Sequence, residues 1–309
     1  MTPRTAEATA PCRVDLSGGV PGAVAVTVAI DRRAWCRVET GVAGVEIESR
    51  DALRKASGRD VAELLEKGAL ASTARVLRAM GVETGVRVVT QLRVPEGSGL
   101  GESAALGAAV AGAVARALER DIEPEEIARL AGEAETAAGG ASAAIREGFA
   151  AIHGGALALH PEKGGVRAER LAVDPARIEE SLLLIQGARS PEPGRGEPSV
   201  VRSVASRLCL ALLAARFDEV VGLWAEEWEA RRGSGAAWPA PENERIAEVV
   251  RGAGGGTRVC GAGEGGVLAV WAPPGARGPG RREAVLLAAK AAGLRLFPAR
   301  VDLRGLEVE

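Results

Sequence analysis

A strand-like run, Arg87 to Val94, leads into Pro95-Glu96-Gly97-Ser98-Gly99-Leu100-Gly101-Glu102-Ser103-Ala104 and then into a helix of small residues reaching Leu118. Three glycines at alternate positions let backbone N–H groups crowd together, and the helix dipole adds positive potential at the same point. Such a turn suits a polyphosphate. The spacing is not GxxxxGK[ST]. Nor is it the GxGxxG of a dinucleotide fold, because no acidic-ended second strand follows about 20 residues on.

Hydrophobicity patterns predict strands at 12–17, 23–31, 35–39, 44–48, 86–94, 181–185, 267–271 and 295–301, and a turn and strand over 149–160. Helices are predicted at 60–80, 102–119, 124–138, 199–214, 217–231, 241–250 and 280–292. Residues 161–170 read as a polar linker and 190–198 as a long irregular loop. Strands followed by helices, without regular alternation, give an α+β class. At 309 residues the chain is long enough for two cores, placed at 1–165 and 166–309.

A formal charge of -2 offers no basic surface for nucleic acid or membrane. The N-terminus lacks an apolar export segment and no apolar run approaches ~18 residues, so a cytoplasmic location is expected. The four cysteines have no zinc-ligand spacing, and His153 and His160 are the only histidines. Little material remains for a histidine-based metal site or a Ser/His/Asp triad.

The loop 95–104 resembles the second motif of the GHMP kinases, the galactokinase, homoserine kinase, mevalonate kinase and phosphomevalonate kinase superfamily. Ala10-Pro11-Cys12-Arg13-Val14-Asp15-Leu16-Ser17-Gly18-Gly19 resembles the first motif. Val259-Cys260-Gly261-Ala262-Gly263-Glu264-Gly265-Gly266 resembles the last, in the right order. Among the branches the chain looks most like sugar and heptose-phosphate kinases and fucokinases. The resemblance implies a ribosomal-S5-like N-terminal domain and a ferredoxin-like C-terminal domain with the active site between them. It implies ATP and Mg2+ as cofactors and a small-molecule substrate. The oligomeric state does not follow from the sequence.

Residue by residue, the resemblance implies nucleotide contacts from Pro95, Gly97, Ser98, Gly99, Leu100, Gly101, Ser103 and Ala104. It implies substrate contacts from Gly18, Gly19, Gly261 and Gly263. Ser103 and a glutamate of the following helix would share the magnesium ion; Glu135 fits that place better than Glu133, which lies two residues away. Glu147 stands where the family has a catalytic aspartate, and Arg13 would steady that carboxylate or the transferring phosphate. Gly99→Val is expected to weaken ATP binding without unfolding the chain.

The chain departs from the motifs at several points. Glu102 replaces a serine and Glu264 a glycine, both near the expected triphosphate, where each is expected to lower nucleotide affinity. No acid follows Gly18-Gly19, and Gln186-Gly187-Ala188-Arg189-Ser190 replaces a T-G-x-S-R stretch. Two functions follow. One is an ATP-dependent kinase for a hydroxylated metabolite, a sugar or sugar phosphate. The other is a GHMP-fold protein without turnover that binds a nucleotide or metabolite as a sensor or partner subunit.

Overall fold

The computed structural model describes residues 3–17, 20, 22–68, 70–136, 148–163, 165–194, 196–233, 238–261, 265–275 and 280–309, without the side chains of 133–136. Its first sheet is built on a long strand, β2 (Ala25–Thr40). β1 (Thr5–Asp15) pairs antiparallel along nearly all of it. β5 (Val86–Leu92) and β6 (Ala156–Glu162) share its other edge, β5 against Ala34–Thr40 and β6 against Ala25–Val28. β3 (Val45–Ser49) runs parallel to β5 and carries β4 (Arg54–Gly58); β7 (Gly165–Arg170) pairs with β6. In β1, Ala6, Ala8, Ala10, Cys12 and Val14 are buried at every second position, the period of a strand facing a core.

α3 (Glu102–Ala117) lies against β1 and β2 and is buried almost all round. Its alanines and glycines allow this. Gly107 meets Ala131 of α4 (Pro124–Thr136), where an added Cβ would stand 3.0 Å from the alanine Cβ. Gly112 accommodates Leu306 and Val308 in the same way, at 3.2 Å. The predicted helix 60–80 is instead two, α1 (Val61–Glu66) and α2 (Ala71–Ala79). Gly68 and Leu70, both at positive φ, break it. The predicted linker 161–170 is corrected to the end of β6 plus β7, whose Val166 and Ala168 pack on Phe149 and Leu159.

The second sheet comprises β8 (Leu182–Gln186), β9 (Gly256–Val259), β10 (Val267–Trp271) and β11 (Leu296–Pro298), all antiparallel in the order β11-β8-β10-β9. Leu182 and Leu184 of β8 enter the main core, while Leu183 and Ile185 enter a second core with Trp228, Ile246 and Val250. The continuous apolar run of that strand reflects burial on both faces. Its helices are α5 (Pro175–Ser181), α6 (Pro198–Leu213), α7 (Glu219–Arg232), α8 (Pro241–Gly252) and α9 (Arg281–Ala291). The mixed α+β class is as expected.

The tail then crosses back. β12 (Glu307–Val308) pairs with β1, so the first sheet draws on residues 5–170 and 307–308, and 165/166 falls at the first residue of β7. The Gly154-Gly155 turn receives the tail: a Cβ on Gly154 would stand 2.6 Å from the Gly305 nitrogen, and the Gly155 N–H donates to the Asp302 carbonyl. Asp302, whose side chain is 2% exposed, pairs through its carboxylate with Arg33, which also donates to Thr9 and to the Gly305 carbonyl. Removing Asp302 leaves the Arg33 guanidinium with only the more exposed Glu307 carboxylate, at 2.9 Å, as an ion-pair partner among the described residues. Asp302→Ala is therefore expected to cost about 3 kcal/mol in urea unfolding, with part recovered in Arg33→Met/Asp302→Leu.

Candidate active site

The loop between β5 and α3 has a regular division of labour. Its carbonyls are committed to the scaffold. Gly97 O accepts from the Gly266 N–H at 2.9 Å, Ser98 O from Val267 at 3.2 Å and Leu100 O from Arg13 at 2.7 Å. The amides of Gly97, Gly99, Gly101, Glu102, Ser103 and Ala104 donate to no group among the described residues. Gly97, Gly99 and Gly101 have φ of 74, 78 and 70°, which turns these donors away from the scaffold. Six N–H groups without a partner among the described residues, ending at a helix N-terminus, have the geometry that suits an anion.

Ser98 stabilises the loop from within. It is buried; its hydroxyl accepts from the Leu100 N–H at 3.2 Å and donates to the Glu102 carboxylate at 3.1 Å. Glu102 thus places its charge at the helix N-terminus. Ser103 is exposed on the first turn of α3.

Beneath the loop lies Arg13, 4% exposed. Its Nε and a terminal nitrogen grip both carboxylate oxygens of Asp15 at 3.1 and 3.2 Å. An added Cβ on Gly101 would stand 2.8 Å from the Arg13 Cζ, so the guanidinium lies directly against the helix N-terminus. Arg189 flanks the other side. A Cβ on Gly97 would be 2.9 Å from its Cζ and 3.0 Å from its Nε, so the guanidinium lies across the loop. It is exposed and has no ion pair or side-chain hydrogen bond among the described residues.

The second half of the chain holds the first motif in place. The Trp224 indole donates to the Leu16 carbonyl at 2.8 Å, and Arg258 donates to the Asp15 carbonyl at 2.8 Å. Arg258 and Arg231 share Oε1 of the buried Glu227, at 2.7 and 2.8 Å, and Arg231 also reaches the Gly194 carbonyl. Burial draws the Arg231 guanidinium down from the ordinary arginine value. The site thiols are inert: burial, reinforced by Glu102, pushes Cys12 up to about 12, and burial pushes Cys260 up to about 12.

The structure brings Arg13, the 95–104 residues and Gly261 to one place. Gly18, Gly19, Glu147, Gly263 and Glu264 lie outside the described residues, as do the side chains of Glu133 and Glu135. Sequence reasoning missed Asp15, Asn243, Glu227, Arg231 and Arg258. Arg258 carried a signal, being a charge within an apolar strand that requires a buried partner. Glu227 and Arg231 carried another, the i,i+4 spacing of a helical ion pair.

The expectation that Gly99→Val spares the fold is corrected. A Cβ there would stand 2.7 Å from the Cys260 carbonyl oxygen and 3.0 Å from the Gly265 Cα, both of them backbone. Gly81 has a similar φ, +66°, with nothing within 4 Å. Gly81→Ala is expected to cost about 1 kcal/mol in thermal unfolding, from the left-handed backbone alone. Gly99→Ala is expected to cost about 3 kcal/mol, because overlap is added to the same strain.

Residues 64–155 match the GHMP kinases N terminal domain. Mevalonate kinase of Pyrococcus abyssi is 33% identical over 46% of this chain and 48% of its own length, and that of Thermococcus sibiricus is 32% identical over 45% and 46%. The chain thus spans about half the length of the curated relatives it matches. Among solved structures, a D-glycero-D-manno-heptose 1-phosphate kinase from Bacteriodes thetaiotaomicron superposes with a TM-score of 0.78 at 21% identity, covering 98% of each chain. An L. major mevalonate kinase in complex with R-mevalonate superposes at 0.71 and 19% identity, over 96% of this chain and 95% of the other. Residues 64–155 thus resemble a GHMP kinase N-terminal domain, and the chain shares the fold of these kinase structures over nearly its whole length.

Proposed function

We propose that the chain transfers a phosphoryl group from ATP to a hydroxyl of a small metabolite, a sugar or sugar phosphate. The observation that carries this reading is the row of six amides at the start of α3, between Arg13 and Arg189, that find no partner among the described residues. Phosphoryl transfer needs positioning and charge neutralisation above all. The amides hold phosphate oxygens and the exposed Arg189 offsets their charge, while Arg13, already paired with Asp15, backs the helix N-terminus. The heptose 1-phosphate kinase likeness supports a sugar phosphate; the mevalonate kinase similarity supports a smaller hydroxy acid as the alternative class.

The residues also suit magnesium, which takes a few protein oxygens and completes its shell with water and phosphate. α3 and α4 are joined by a short connection, which makes them antiparallel neighbours, and they cross where Gly107 meets Ala131. Ser103 and Glu135 each lie one turn from that crossing, on the same side, and would hold the ion. Bound there, magnesium would offset charge on the transferring phosphate. Glu147 remains the proposed base for the acceptor hydroxyl. Its neighbour Gly148 is seated on α4, a Cβ there standing 3.3 Å from the Ala128 Cα.

One observation favours the second function, nucleotide binding without turnover: the Glu102 carboxylate occupies the helix N-terminus itself. ADP release across a panel of sugars, sugar phosphates and mevalonate separates the two. The kinase reading predicts turnover with at least one of them, and Arg189→Ala raising the KM for MgATP about tenfold. MgATP binding without ADP release on any acceptor would support the second function, and absent MgATP binding would contradict the kinase reading and leave only metabolite binding for the second.

A further inference from the structure

Arg189 depends on a backbone that is tied down at each neighbouring residue. Asn243, fully buried at the start of α8, accepts from the Ala188 N–H through Oδ1 at 2.9 Å and donates from Nδ2 to the Ala188 carbonyl at 2.8 Å. One carboxamide therefore satisfies both polar groups of Ala188, as a neighbouring strand would. Gly187 lacks a side chain where the Asn243 amide packs against it, and its N–H donates to the Gly266 carbonyl at 3.0 Å. On the other side, the Ala240 N–H donates to the Ser190 hydroxyl at 3.2 Å. Gly266 in turn donates to Gly97 O, so the segment bearing Arg189 and the phosphate loop share one anchor.

Resting on the functional reading above, we propose that Asn243 is a positioning residue: its two hydrogen bonds to Ala188 set the direction in which Arg189 leaves the backbone and so hold the guanidinium across Gly97. Asn243 itself is sealed in the interior and touches no phosphate; it acts only through Arg189. A long arginine on a free loop would lose rotamer freedom on meeting a phosphate. A clamped backbone leaves only that side-chain cost, because the backbone freedom of the segment is lost before the nucleotide arrives.

The test is a double-mutant cycle read by calorimetric titration with MgATP and, separately, inorganic triphosphate. Arg189→Ala is expected to weaken MgATP about tenfold and Asn243→Ala about fivefold. The Asn243→Ala/Arg189→Ala double variant is expected to bind no more weakly than Arg189→Ala alone. A merely structural asparagine would lower the melting temperature equally in both backgrounds and leave the two affinity losses additive. Additive losses, or unchanged affinity in Asn243→Ala, would overturn the proposal. Should Asn243→Ala fail to fold, Ser190→Ala replaces it in the cycle, removing the tether on the far side of Arg189. A loss of about twofold that vanishes in the Arg189→Ala background is then expected, and an additive or absent loss overturns the proposal. Wild-type chain that binds neither probe would overturn the functional reading and this inference together, whereas wild-type binding with additive losses would overturn this inference alone.

Discussion

The site depends on a backbone-to-backbone seam between two glycine segments that are distant in sequence. Gly97 and Ser98 accept hydrogen bonds from Gly266 and Val267, and Gly99 lies where the Cys260 carbonyl and the Gly265 Cα leave no space for a Cβ. The same contact joins the two sheets and fixes the loop carbonyls, which leaves the amides without scaffold partners. Stability and anion binding therefore arise from one geometric fact. The glycines at 99 and 265 serve close approach, while those at 97 and 101 make way for Arg189 and Arg13.

Charge is arranged in layers around this seam. Nearest the loop, Arg13 is held by Asp15 and Arg189 lies exposed across Gly97. Behind them, Arg258 and Arg231 share Glu227, joining the Asp15 carbonyl to Gly194. A buried charge is tolerated when it is paired and hydrogen-bonded, as Arg13, Arg231, Arg258 and Glu227 are. The cationic side chains at the site are arginines, whose fixed planar donors can meet a carboxylate, a carbonyl and a phosphate at once.

Much of this was legible in the sequence where the signal is local. The small-residue helix after the loop and the apolar run of β8 appear within a few residues of expectation, whereas β1 starts at Thr5 rather than Cys12, β2 is one strand where two were predicted, and residues 148–153 are helical ahead of β6. The glycine loop was legible because its turn chemistry is contained in ten residues. What escaped depends on contacts distant in sequence. β7 has weak alternation and is defined by pairing with β6; β12 is two residues long and exists because the tail fits the Gly154-Gly155 turn. Asn243 lies 55 residues from Ala188, and no spacing rule links them. The break at Gly68 and Leu70 was missed because the apolar helical period continues across it.

The central claim is that the amides of Gly97, Gly99, Gly101, Glu102, Ser103 and Ala104 are the phosphate donors. Amide NMR on 15N-labelled chain, titrated in parallel with MgATP, inorganic triphosphate and adenosine, tests it directly. The account predicts that these amide resonances shift and gain exchange protection with MgATP and with triphosphate, and change little with adenosine. Saturable MgATP binding that leaves all six unmoved, with the shifts gathered on another surface, would contradict it.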